Sequence, residues 1–282
     1  MANDKANSDT QLRALHRHVV FLAACTLMLI LAGASVTSVI RALPGSTVAP
    51  PPTSTSRLLE QVHSIAGIVV DVLTGGLAIW LLVAEKRSTM RMSGAIALVV
   101  MVGESFLGGY PILHALVAPL LFTLLAAMAV FTSQSWAEGP EPADYRWQPS
   151  MRSLGILMPI LVFVQIGLGA AYRHNAMGVL SHILNALLVL LFILVVGVFI
   201  MRQYPEHRSL RPAAHALVVI TSVQVLLGFA VFLVLIISSG NNAALVVSSV
   251  AHVVNGSLAL AATVVMVIQI RRHLRDVTPP PE

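Results

Sequence analysis

Charge is scarce in this chain. Lys, Arg, Asp and Glu together make up 10% of 282 residues, against 57% apolar residues and a mean hydropathy of +0.85. Soluble domains carry roughly a quarter charged residues, so an ordinary water-soluble fold is excluded. Cysteine is almost absent: Cys25 stands alone inside an apolar run, which rules out an intrachain disulfide and leaves a thiol behaving as a small apolar side chain. That first run also lacks a small-residue cleavage site and is too long for a removable signal peptide. The polar residues 1–17 before it read as a short tail.

Long apolar stretches are plentiful. They fall at 19–40, 58–84, 93–110, 111–131, 154–171, 177–201, 213–237 and 243–270, each suited to a hydrocarbon core roughly 30 Å thick. The expectation is an all-α polytopic membrane protein with eight transmembrane helices. The net charge of +5 raises nucleic acid as a partner, and the positions of the basic residues exclude it. With an internal N-terminus, Lys5, Arg13, Arg17, Lys86, Arg87, Arg91, Arg146, Arg152, Arg202, Arg208, Arg211, Arg271, Arg272 and Arg275 share one side, and only Arg41, Arg57 and Arg173 lie on the other. This is a positive-inside distribution that puts both termini in the cytoplasm and makes the lipid bilayer the chief partner.

A Pro-, Glu- and Trp-bearing connection near mid-chain divides the stretches into four and four. Residues 1–17 are then a tail, 18–132 a first four-helix half, 133–153 a cytoplasmic linker, 154–271 a second four-helix half and 272–282 a cytoplasmic tail. An even number of crossings per half gives parallel repeats about an axis normal to the membrane, and two tandem pseudo-symmetric four-helix bundles are expected. Short motifs recur accordingly. Odd stretches carry Gln165-Ile-Gly-Leu-Gly169, Gln224-Val-Leu-Leu-Gly228, Glu104-Ser-Phe-Leu-Gly108 and, with only the glycine kept, Leu29-Ile-Leu-Ala-Gly33. Even stretches carry His63, His114, His182 and His252, each followed four residues on by Gly67, Ala118, Ala186 or Gly256. Asn185 and Asn255 each stand three residues after their histidine.

Imidazoles within lipid-spanning helices are costly, so four in register point to a functional site. A tandem duplication that kept them only for packing would not explain why so expensive a side chain recurs. Zinc prefers a compact tetrahedron of ligands, whereas these histidines divide between two bundles. Two opposed imidazoles per half match the axial ligands of haem iron, and small residues at i+4 share the histidine's helix face. Close helix packing uses small residues as well. Arg41, Arg57 and Arg173 are the outer-side strong cations suited to haem propionates, or exposed loop arginines. Glu60 lies three residues before His63 on the same face, where a helix N-terminus also favours a carboxylate. Asp71 sits about 12 Å deeper than His63, as a relay, a contact for a substrate tail or a structural hydrogen bond. His174 stands beside Arg173, and His16, His18, His207, His215 and His273 read as interfacial residues at the cytoplasmic boundary.

The eight stretches, the halves, Glu60-x-x-His63, the Gln-x-x-x-Gly segments and one histidine opening each even stretch together resemble the haem A synthase family over nearly the whole chain. Residues 165–174 look most like the family's fifth helix and its exit. The resemblance implies oxidation of a methyl group of haem O to the formyl group of haem A, for terminal oxidase biogenesis, in a bacterial inner membrane. It further implies that His63 and His114 ligate the substrate haem O, that Glu60 is the catalytic acidic residue, and that His182 and His252, with Arg173, bind a resident haem b. An electron donor, haem O synthase and terminal oxidase subunits are the implied partners. The first outer connection has no cysteine and Ser64 stands where an arginine is common, both departures from the family pattern. A dihaem b-type, quinone-linked electron-transfer protein, or a non-catalytic haem-binding assembly factor, would use the same histidines without needing Glu60.

Overall fold

Lipid offers backbone groups no hydrogen-bond partner, so apolar runs of this length satisfy theirs within helices. The computed structural model describes residues 2–40, 53–146, 150–237 and 242–277, most of them helical. In chain order they are α1 (Ala2–Ile40), α2 (Ser54–Ala84), α3 (Ser88–Glu104), α4 (Pro111–Phe131), the short α5 (Gln134–Ala137), α6 (Met151–Arg173), α7 (Val179–Gln203), α8 (Leu210–Ile237) and α9 (Ala243–His273). Two three-residue strands, β1 (Ala143–Tyr145) and β2 (Leu274–Asp276), pair in parallel, Ala143 opposite Leu274.

Among the described residues seven helices are long and apolar enough to cross a membrane, and α3 is not one of them. The third of the eight expected crossings runs to residue 110, yet α3 stops at Glu104 after 17 residues. At 1.5 Å per residue that is about 25 Å. The cause is local: Gly108 and Gly109 lie in the turn that follows, and Pro111 opens α4, holding the residue before it out of helical geometry. Helices also begin earlier than hydropathy suggests. Thr53 caps α2 in a capping box with Ser56, which takes Arg57 into the helix. α1 continues back through the polar leader to Ala2, a stretch free of glycine and proline.

Helix contacts form two closed circuits. α1 packs on α2 and α4 while α3 joins those two; α6 packs on α7 and α9 while α8 joins those two. α9 also lies against α1 and α4, and α4 against α6. One core gathers Leu22, Leu77, Leu81, Leu125 and Met128, another Met158, Ile193, Ile200, Leu217 and Met266. A small cluster of Ile30, Phe122 and Ala261 joins them. Within α2, α4, α7 and α9 the buried positions lie C-terminal to the histidine, apart from Ser56 and Leu245. The histidine end is therefore left more open. Outward positions are apolar, with Val83 82%, Ile237 71% and Val72 69% exposed, the exterior of a multi-pass membrane protein.

At the opposite end the linker is folded rather than extended. Arg272 stacks on Trp136 at 3.6 Å and donates from Nη2 to the Trp136 carbonyl at 2.5 Å. Arg152 donates from Nη2 to the Leu274 carbonyl at 2.7 Å. His207 and His273, read from the sequence as interfacial residues at the cytoplasmic boundary, are 7% and 2% exposed. Their rings pack edge to face at 4.7 Å. His207 Nδ1 accepts from the backbone N–H groups of Ser209 and Leu210, and the Glu141 N–H donates to His273 Nδ1 at 2.9 Å.

Candidate functional site

The four histidines meet in pairs. His63 of α2 and His114 of α4 have ring centroids 6.0 Å apart, with planes at 82°. His182 of α7 and His252 of α9 repeat this at 6.1 Å and 72°. A cavity of about 800 Å³ takes in all four rings together with Arg173, a volume within the usual range for cofactor pockets of about 300–1,000 Å³.

Glycine on the preceding helix admits three of the four rings. A β-carbon on Gly33 would lie 2.9 Å from His63 Cε1, one on Gly169 3.0 Å from His182 Cε1, and one on Gly228 3.1 Å from His252 Cε1. In all three pairs the glycine meets the Cε1–Nδ1 edge and Nε2 is the more distant nitrogen. The polar residue four positions earlier serves the same ring. The Gln165 side-chain amide lies 3.1 Å from Nδ1 and 3.2 Å from Nε2 of His182, and donates to the His182 carbonyl at 3.0 Å. The Gln224 amide lies 3.3 Å from His252 Nε2. Asn185 and Asn255, noticed in the sequence only as a recurrence, donate to Gln165 Oε1 at 2.7 Å and to Gln224 Oε1 at 2.8 Å. Each asparagine thus fixes its glutamine, and the glutamine faces the imidazole.

In the first half the pattern changes. Leu29 replaces the amide, and His63 Nδ1 is buried without an ordinary hydrogen bond; the Leu29 carbonyl faces that ring. Glu104 Oε1 pairs with His114 Nδ1, a contact that sequence reading did not assign. Its signal was present, since Glu104 occupies the glutamine position of the repeat.

The other expected residues scatter. Arg173 lines the cavity and donates from Nη2 to the Ala34 carbonyl at 2.9 Å and to Ser38 Oγ at 2.5 Å, tying the end of α6 to α1. His174 lines the same cavity. Glu60 is exposed and sits in a separate surface groove with Arg57, Gln61, Ser64 and Ile65, so the structure does not bring it into the cavity. Asp71 is exposed, and Arg41 falls outside the described residues. Of the small i+4 residues, Ala118 and Gly256 line the cavity. Gly256 owes its size to the amide of Gln224, which would lie 3.2 Å from a β-carbon there.

These residues fit a porphyrin iron better than a bare ion. Among the described residues no group of three or more His, Cys, Asp or Glu converges to hold a metal. Two opposed imidazoles on one iron need about 2 Å per metal–nitrogen bond plus roughly 1 Å from each nitrogen to its ring centre, placing the centroids about 6 Å apart. Both pairs stand at that spacing, and Nδ1 of His252, like that of His63, is buried without an ordinary hydrogen bond. Compared with protein-family models, curated proteins and solved structures, the chain matches none.

Proposed function

We propose that the chain is a haem A synthase-like membrane oxidoreductase, oxidising a methyl group of haem O to the formyl group of haem A for terminal oxidase biogenesis. The observation that carries the reading is the matched spacing of the two histidine pairs, 6.0 and 6.1 Å. In this reading His63 and His114 hold the substrate haem O, and His182 and His252 hold a resident haem b, which supplies a one-electron couple when bound. Arg173 faces the propionates at the cavity. An external oxidant accepts the four electrons removed from the methyl carbon, an electron donor delivers to the second site, and haem O synthase and terminal oxidase subunits are neighbours. α3 is the short member of eight crossings, arranged as two tandem bundles in a bacterial inner membrane with both termini in the cytoplasm.

Glu60, one turn before His63, is the acidic residue of this reaction. The test is to express the chain with a haem O supply and extract its pigments. Hydroxylated or formyl haem is expected, and Glu60→Ala should keep the absorption spectrum while product formation falls by about 100-fold or more, the low end for a lost acid–base group. Unchanged conversion by that variant would remove Glu60 from the chemistry. The exposure of Glu60 outside the cavity favours a second reading, a dihaem b-type electron-transfer protein. Recovery of haem b alone from haem O-loaded membranes would establish that one instead.

A further inference from the structure

Four helix pairs share one plan, yet the position four residues before the glycine is filled differently: Leu29, Glu104, Gln165 and Gln224. An amide is enough to face an imidazole, as Gln165 and Gln224 do. A carboxylate in a lipid-spanning bundle is expensive and calls for a reason beyond packing. Glu104 ends α3, where the chain unwinds, and a β-carbon on Gly108 would meet nothing within 4 Å. Freed from the glycine contact that the other three pairs make, His114 takes the carboxylate instead. Glu104 Oε1 is bonded to His114 Nδ1, and Oε2 is buried without a hydrogen-bond partner.

A carboxylate accepting from Nδ1–H fixes the tautomer, leaves Nε2 as the ligating nitrogen and makes the ring a stronger electron donor. Opposite it, His63 has no side chain hydrogen-bonded to Nδ1. The second pair is more even, with an asparagine-held amide facing each ring. The two sites are therefore alike in geometry and unlike in electronics. We infer that Glu104 is the positioning residue of His114, and that it gives the His63/His114 site the lower reduction potential of the two. This rests on the haem reading above.

The experiment is a redox titration of the purified, haem-loaded full-length protein, followed by absorption spectroscopy, with His63→Ala and His252→Ala assigning the two midpoints. Glu104→Gln should raise the lower midpoint towards the upper and leave the upper unchanged, and Glu104→Asp should restore it in part. Gln165, whose amide lies 3.1 Å from His182 Nδ1, supplies the reciprocal arm: Gln165→Glu should lower the upper midpoint. If Glu104→Gln sheds the first-site haem, Gln165→Glu decides alone: a lowered midpoint supports the inference and an unmoved one overturns it. Unmoved midpoints in Glu104→Gln with both haems retained overturn it too, while the haem reading stands. Wild-type protein that binds no haem fails both.

Discussion

At the scale of the residue, the chemistry of this chain depends on what glycine lacks. An imidazole reaches its place against a neighbouring helix only where no β-carbon stands in the way, and Gly33, Gly169 and Gly228 provide that place. Gly228→Leu should therefore displace His252 and weaken haem binding at the second site by about 10–100-fold, the range seen when a ligand's support is lost. Gly75, where a β-carbon would meet nothing within 4 Å, is the control, and Gly75→Ala should bind like the wild type. Equal haem retention by both variants would detach the glycines from the site. Much of this was legible beforehand: the polar-x-x-x-Gly and His-x-x-x-small recurrences named the helices that must meet. The reason for each small residue was not. Gly256 lines the cavity and also makes room for Gln224, a contact between helices that one helix's periodicity cannot reveal.

Elements are set by their ends. The turn between α2 and α3 is held by Glu85, whose Oε1 accepts from the backbone N–H of Lys86 and of Arg87, and whose carboxylate takes a two-pronged contact from the Arg87 guanidinium at 3.1 and 2.9 Å. Arg87 also donates to the Phe131 carbonyl at the end of α4. The side-chain hydrogen bond from Arg87 holds the Glu85 carboxyl below its ordinary range, against partial desolvation. A depressed folded value means the stabilisation is fully present above the unfolded value, about 4.3, and is lost as pH falls through the folded one. Arg87→Ala should thus destabilise detergent-solubilised protein by no more than about 1 kcal/mol at neutral pH, because the pair is partly exposed. The part of that difference owed to Glu85 should vanish once the pH falls below its folded value, itself under about 4.3, leaving the Phe131 contact; an undiminished difference there would contradict the assignment. At the start of α8, His207 Nδ1 accepts two backbone N–H bonds. His207→Ala should cost about 0.5–2 kcal/mol, the worth of a helix cap, read as a lower melting temperature; no change would show the cap to be idle. Hydropathy placed the long helices because length and apolar content are local properties. It carried the third span through Gly108, Gly109 and Tyr110 because those residues do not interrupt an apolar run, although two glycines and the proline that follows mark an earlier break. β1, β2 and the burial of His207 and His273 lay beyond it, since they exist only where the linker meets the C-terminal segment.

For the whole molecule, packing and openness divide along the helix axes. Buried side chains gather C-terminal to the histidines, and the cavity lies at the histidine end, with α9 against α1 and α4 between the two circuits. A rigid half and an open half suit a protein that holds large planar groups near one face of a membrane. Bare aromatic rings also pair edge to face with centroids about 4.5–7 Å apart, so spacing by itself describes a metal-free ring pair equally well. Pigment separates the two. The decisive measurement is haem content per chain after expression with ample haem, for the wild type and for His63→Ala, His114→Ala, His182→Ala and His252→Ala. The account predicts two haems in the wild type, one lost in each variant, and a low-spin spectrum for the second site that vanishes with either His182 or His252. Colourless wild-type protein, or a haem content that none of the four substitutions alters, would contradict it.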